Sequence, residues 1–139
     1  MIQAFLSTEF CDVAIHLKDL GVVLGCVTMQ WILCLLLKVV SAQLALRIWD
    51  YMMVSRSDRP LILGILAIIS LKSKELLQCD DNVSAMACLA GVTPFTITPR
   101  DFFGEFLDLC VRISEEQYLS VREAVQVCVC VCVCVCVCV

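Results

Sequence analysis

Apolar positions before residue 127 recur at helical spacing and nowhere alternate as a strand would. In Phe10 to Leu20, Ala14, Leu17 and Gly21 fall at i, i+3 and i+7, with Asp12, Lys18 and Asp19 on other faces. A helix is predicted there, with Gly21 as its C-terminal cap. Thr28 to Val40 is apolar nearly all round, the pattern of a buried second helix. Ser41 can cap a third, running to about Val54. Ser55-Arg56-Ser57-Asp58-Arg59-Pro60 is a polar loop, and Pro60 suits the first turn of the helix continued by Leu61 to Leu71. Leu71 to Cys79 either extends that helix or adds a turn. Asp80-Asp81 reads as a solvated turn and cap for the next helix.

Gly91-Val92-Thr93-Pro94, with Thr98-Pro99 soon after, marks a boundary. Past it, Thr98 is an N-cap with Pro99 in the first turn, and Phe102, Phe103, Phe106, Leu107 and Cys110 line one face. Ser114-Glu115-Glu116-Gln117 has capping-box spacing, so a further helix is expected from there to about Val127. Glu115-Glu116 suits the positive end of its dipole. The predicted class is all-α.

From Val127 to Val139 the chain alternates strictly between Val and Cys. A strand would put every Cys on one face. A metal tract would use C-x-C spacing for soft thiolate-binding ions. The favoured reading is a translated nucleotide repeat: a GT tract reads as GTG and TGT in every frame, which are Val and Cys, and needs no selection for ligands. This gives three segments: 1–92, 93–127, and a low-complexity tail over 128–139.

Composition narrows the class. Hydrophobic residues make up 61% of the 139 residues and charged residues 17%, against ~45–50% and ~25% in ordinary soluble domains. The mean hydropathy is +0.95. A membrane reading is weighed against a buried core. Gly21 to Leu37 carries no formal charge, and Leu61 to Leu71 is more apolar still, but both fall short of the ~20 residues of a span. The core reading is preferred. Of the 12 cysteines, those outside the repeat are Cys11, Cys26, Cys34, Cys79, Cys88 and Cys110. None forms a C-x-x-C pair, and most sit in apolar contexts where Cys behaves as a small hydrophobe. With no basic segment before Lys18 to suggest a secretory signal, a reducing, cytoplasmic setting is expected. The net charge of −4 and scattered Lys and Arg argue against nucleic acid as a partner.

The most distinctive block is Leu46-Arg47-Ile48-Trp49-Asp50, read with Gln30-Trp31 upstream. It resembles the [LV]-R-[IV]-W-D signature of the TBC domain, the Rab GTPase-activating fold. Gln30-Trp31-Ile32-Leu33-Cys34-Leu35-Leu36 is similar to that family's W-[FIL]-L-x-L-F segment. His16-Leu17 with Leu20-Gly21-Val22 resembles the helix before it, and Leu61 to Leu71 with Glu75-Leu76-Leu77 the helix after. The resemblance runs from about Phe5 to about Ala90 and covers the C-terminal half of the domain. Val40-Ser41 stands where the family usually has a proline before the signature helix, and Ser55-Arg56-Ser57 where it has Glu-Gly.

The resemblance implies a chemistry. TBC proteins insert an arginine finger and a glutamine finger into the nucleotide site of a Rab-family small GTPase, controlling vesicle traffic; such an arginine is worth ~10³–10⁵ in rate. The fingers lie in I-x-x-D-x-x-R and Y-x-Q motifs of the N-terminal half. Neither motif is present. Tyr51 is followed by Met52-Met53 and Tyr118 by Leu119-Ser120, and Arg47, Arg56, Arg59, Arg100, Arg112 and Arg122 all lack the required Ile and Asp. No catalytic, cofactor or metal residue is assigned. Trp31, Arg47, Trp49 and Asp50 are read as structural signature residues, with Arg47 and Asp50 a partly buried i, i+3 pair that orients its helix between the tryptophans. His16 stands alone and reads as a surface or packing residue. The expected partner is a Rab-family GTPase, with peripheral membrane association at endomembranes through it. A chain lacking both fingers is expected to be a truncated one, its apolar surface partly uncovered. The alternatives are a non-catalytic module binding a GTPase or adaptor, and a small multi-pass membrane protein.

Overall fold

A computed structural model describes the backbone of residues 1–137 and the side chains through residue 126. The described residues form nine helices and no strand: α1 (Ile2–Glu9), α2 (Cys11–Asp19), α3 (Leu24–Leu33), α4 (Ala42–Ser55), α5 (Arg59–Leu71), α6 (Ser73–Leu76), α7 (Asn82–Ala90), α8 (Pro99–Arg112) and α9 (Glu115–Val137). The all-α class is as the pattern predicts. α1, which the pattern did not single out, packs against α2. α9 continues past Val127, so the backbone of the Val-Cys stretch is helical through Val137 and not extended. The metal-tract reading of its thiols lies outside the described side chains.

α5 is the centre. Every residue from Arg59 to Ile69 is buried. An all-apolar helix needs cover on all sides, and α8 provides the most extensive contact, with α4, α1 and α3 on other sides. Each buried Leu or Ile contributes roughly 1.5–3 kcal/mol, far more than the differences in helix propensity among these residues. Burial therefore sets this helix. Gly64 is a notch in it: a Cβ there would sit 3.0 Å from Leu36 Cδ1 and 3.4 Å from Ile48 Cδ1.

Several ends follow the sequence. Gly21 has φ +69°, and the N–H of Val22 donates to the Leu17 carbonyl at 2.9 Å, closing α2 in the left-handed manner expected of glycine. Thr98 Oγ1 accepts from the Asp101 N–H at 3.2 Å at the start of α8. Before α9 both halves of the capping box form: Gln117 N–H donates to Ser114 Oγ at 3.2 Å, and Ser114 N–H to Gln117 Oε1 at 2.9 Å. Ser41 and Asp81 occupy N-cap positions with extended backbone, but neither side chain makes a capping bond.

The expected helix over Thr28–Val40 is corrected. α3 starts at Leu24 and stops at Leu33, and the chain turns through Cys34–Val39. Leu35 and Leu36 have φ of 46° and 66°, a left-handed conformation costing roughly 1–2 kcal/mol per residue. Two contacts offset that cost. Leu36 is fully buried against the Gly64 notch, and Trp49 Nε1 donates to the Leu35 carbonyl at 3.0 Å. The face of α8 is also rotated from expectation. Phe102, Phe106, Leu109 and, just past its end, Ile113 are buried, while Leu107 is exposed. Among the described residues no helix is long and apolar enough to cross a membrane.

Candidate functional site

The signature block divides into two roles. Trp31 is buried on α3, and Trp49 is half-buried with its indole N–H on the Leu35 carbonyl. The Trp49 indole bond, and the Leu36 N–H donating to the Trp31 carbonyl at 2.9 Å, tie down the turn that follows α3. Arg47 and Asp50 behave otherwise. Both are exposed, and the ion pairs formed among the described residues do not include them. The expected partly buried pair is therefore corrected: they share the outer face of α4 without bonding, because each side chain reaches bulk water there and a surface pair gains little.

Around them α4 and α8 form two adjoining grooves. One, of about 590 Å³, runs between Arg47, Ile48 and Tyr51 on α4 and Phe103, Phe106, Leu107 and Cys110 on α8. The other, of about 510 Å³, is bordered by Gln43, Leu46, Arg47, Asp50, Pro99 and Phe103. Arg47 and Phe103 border both. Aromatic contacts stiffen the floor. Tyr51 meets Phe106 edge-on at 6.4 Å between ring centres, and Phe106 stacks on Phe102 at 5.9 Å. Burial pushes the Cys110 thiol up from its ordinary range, against the pull of the nearby Arg59 cation.

The other arginines show which cations the fold consumes. Arg59 is buried at the start of α5, and its Nη2 donates to the Cys110 carbonyl at 3.0 Å and to the Ile113 carbonyl. The Cys110 carbonyl would otherwise be one of the orphan acceptors ending α8, since the Ser114 N–H is turned to Gln117 instead. Arg59 Nη1 also lies 3.3 Å from Glu115. Arg112 bonds Glu9 at 2.7 Å and Asp108 at 3.2 Å and lies over the Phe10 ring; the Glu9 bond holds its guanidinium above the usual range. Arg122 pairs with Asp58 at 3.1 Å. Arg47, Arg56 and Arg100 are exposed and enter no ion pair among the described residues.

The role of Arg59 escaped the sequence reading, which placed it in a polar loop. No local signal announces it, because its acceptors lie some fifty positions on. His16 is a packing residue: its Nε2 donates to the Cys79 carbonyl at 2.9 Å. Glu75 accepts from Lys72 Nζ at 2.7 and 2.8 Å, which lowers its carboxylate below the usual value. Cys88, beside Glu75, is pushed up by burial first and by that carboxylate second. The six cysteines outside the repeat are free thiols, and none is fully buried. Among the described residues no group of three or more His, Cys, Asp or Glu could hold a metal ion.

Comparison with known proteins bears on the signature block directly. The family model of the Rab-GTPase-TBC domain matches residues 1–77, α1 through α6. No curated protein and no solved structure matches the chain.

Proposed function

The chain belongs to the Rab-GTPase-TBC domain family, and from that premise we propose that it serves Rab-type GTPases of vesicle traffic as a helical platform without a catalytic finger of its own. The single observation carrying this reading is that neither I-x-x-D-x-x-R nor Y-x-Q occurs in its 139 residues. The disposition of the arginines supports it. A finger must reach developing charge in another protein's site and arrive pre-aimed. Arg59, Arg112 and Arg122 are committed to carbonyls and carboxylates of this fold. Arg47, Arg56 and Arg100 are exposed, but the family's finger motif surrounds none of them.

The test is single-turnover GTP hydrolysis by a panel of Rab-family GTPases with the whole chain in excess, beside binding to the GTP- and GDP-loaded forms. The expected result is nucleotide-dependent binding with hydrolysis at the intrinsic rate. A stimulation approaching the ~10³–10⁵ of an arginine finger, abolished by Arg47→Ala, Arg56→Ala or Arg100→Ala, would overturn the proposal.

A further inference from the structure

A further cavity lies between α3, the turn that follows it, and α7. Its volume is about 410 Å³, within the roughly 300–1,000 Å³ of small-molecule sites. Val27 and Trp31 line it one turn apart on α3, and Met86 and Ala90 one turn apart on α7. Val39 and Val92 complete the walls. Apart from one indole these walls are aliphatic, and they reward a ligand with an aliphatic body. Three polar groups border the cavity. Trp31 is 5% exposed, yet its indole N–H, unlike that of Trp49, has no hydrogen-bond partner among the described residues and is not sealed from solvent. A buried indole N–H ordinarily finds a partner. Gln30 and Lys38 are exposed at the rim, and the ion pairs among the described residues do not include Lys38. Indole and ammonium groups donate and cannot accept. No Asp or Glu lines the cavity.

We propose that this cavity between α3 and α7 binds a free, single-chain aliphatic carboxylate, its chain against Val27, Val39, Met86 and Val92 and its head at Lys38 and the Trp31 N–H. The polar border is rich in donors, which calls for an acceptor on the ligand. It holds one cation, which balances one negative charge. A carboxylate brings that single charge at pH 7, whereas a phosphate ester brings about −1.5 to −2 and asks for more than one cation. The unpartnered indole N–H is the second observation, independent of the cavity, and it supplies a fixed donor beside the flexible ammonium. The site is separate from the grooves between α4 and α8, and it does not rest on the GTPase reading.

The experiment is titration calorimetry of the whole chain, under reducing conditions at pH 7, with decanoate, octanoate and decanol below their micellar concentrations. Saturable binding of one decanoate per chain is expected. Each buried CH₂ is worth about fourfold, so octanoate should bind about tenfold more weakly or worse. Decanol keeps the chain without the charge. Lys38→Gln should weaken decanoate by about three- to tenfold and leave decanol unchanged, because only the carboxylate makes a charge-assisted bond. Ala90→Phe fills the cavity from an exposed position and should abolish binding of all three. Both substituted positions are on the surface, so unchanged circular dichroism is expected and verifies the fold. The proposal is overturned by the absence of saturable one-to-one binding, by decanol binding as tightly as decanoate, or by Lys38→Gln weakening the two equally or not at all. Undiminished binding in a folded Ala90→Phe chain places the ligand elsewhere and overturns it too.

Discussion

Arg59 provides the sharpest test of how this fold is held. Arg59→Ala removes the donor to the Cys110 and Ile113 carbonyls. A buried acceptor left unbonded costs about 1–3 kcal/mol. Two of them give a ceiling near 6, which water entering the vacated space reduces, so the expected loss is about 2–4 kcal/mol. For a chain of this size that corresponds to a fall in Tm of roughly 6–12 °C. Arg59→Lys keeps the charge but offers a point donor in place of a fork, and should recover about half. Glu115→Ala separates the clasp from the ion pair. Its side chain is 52% exposed while that of Arg59 is 9% exposed, and a half-exposed pair is worth ~0–1 kcal/mol. Urea unfolding followed by the fluorescence of Trp31 and Trp49 measures all three. If Glu115→Ala costs as much as Arg59→Ala, the ion pair and not the carbonyl clasp is the fastening, and the reasoning fails.

Three more outcomes are expected. Trp49→Phe removes the donor to the Leu35 carbonyl and should cost about 1–2 kcal/mol, with faster amide exchange over Cys34–Leu37; unchanged exchange there would show that the indole does not hold the turn. Ser114→Ala should cost about 0.5–1 kcal/mol through the lost cap, with Gln117→Ala adding less than its separate effect because the two bonds form one box; full additivity in a double-mutant cycle would refute the shared box. Tyr118 is buried and its hydroxyl has no hydrogen-bond partner, so Tyr118→Phe should be neutral or stabilising by up to ~1 kcal/mol. Burial, then the nearby Asp58 carboxylate, pushes its ionisation up in the folded state. The folded chain then keeps a proton that the unfolded chain loses, so stability falls as pH rises past ~10. The Phe variant should lack that part of the fall, while the part that begins in the ordinary thiol range, from Cys88 and Cys110, persists. An identical alkaline curve in the variant counts against this.

Three helix ends written in local chemistry read correctly from the sequence, whereas Ser41 and Asp81 hold their N-cap positions without a capping bond. Gly21, Thr98-Pro99 and Ser114-x-x-Gln117 each close or open a helix through bonds within a few residues. The break after Leu33 was illegible for the opposite reason. A stretch apolar on every side has no periodicity to lose, and the cause of the break lies in Gly64 and Trp49, elsewhere in the chain. The burial of Phe102, Phe106, Leu109 and Ile113 is a 4-3-4 stripe, and choosing Leu107 over Leu109 displaced the predicted face by part of a turn. At the candidate site, the spacing of Arg47 and Asp50 permits a bond, but spacing does not say which way a helix faces. Only the packing of Ile48, Leu44 and Ala45 inward turns the two charges to the outside.

The clasp at Arg59 has a bearing on where this protein can be divided. Arg59 lies inside the span matched by the family, and its carbonyl acceptors lie outside it, at Cys110 and Ile113. The same asymmetry holds for α5, whose broadest cover is α8. A chain cut after residue 77 would bare one side of an all-apolar helix and strand a guanidinium in it. The family's border and the cooperative unit's border are thus different lines. Amides of α5 and α8 should exchange as one unit, opening together or not at all.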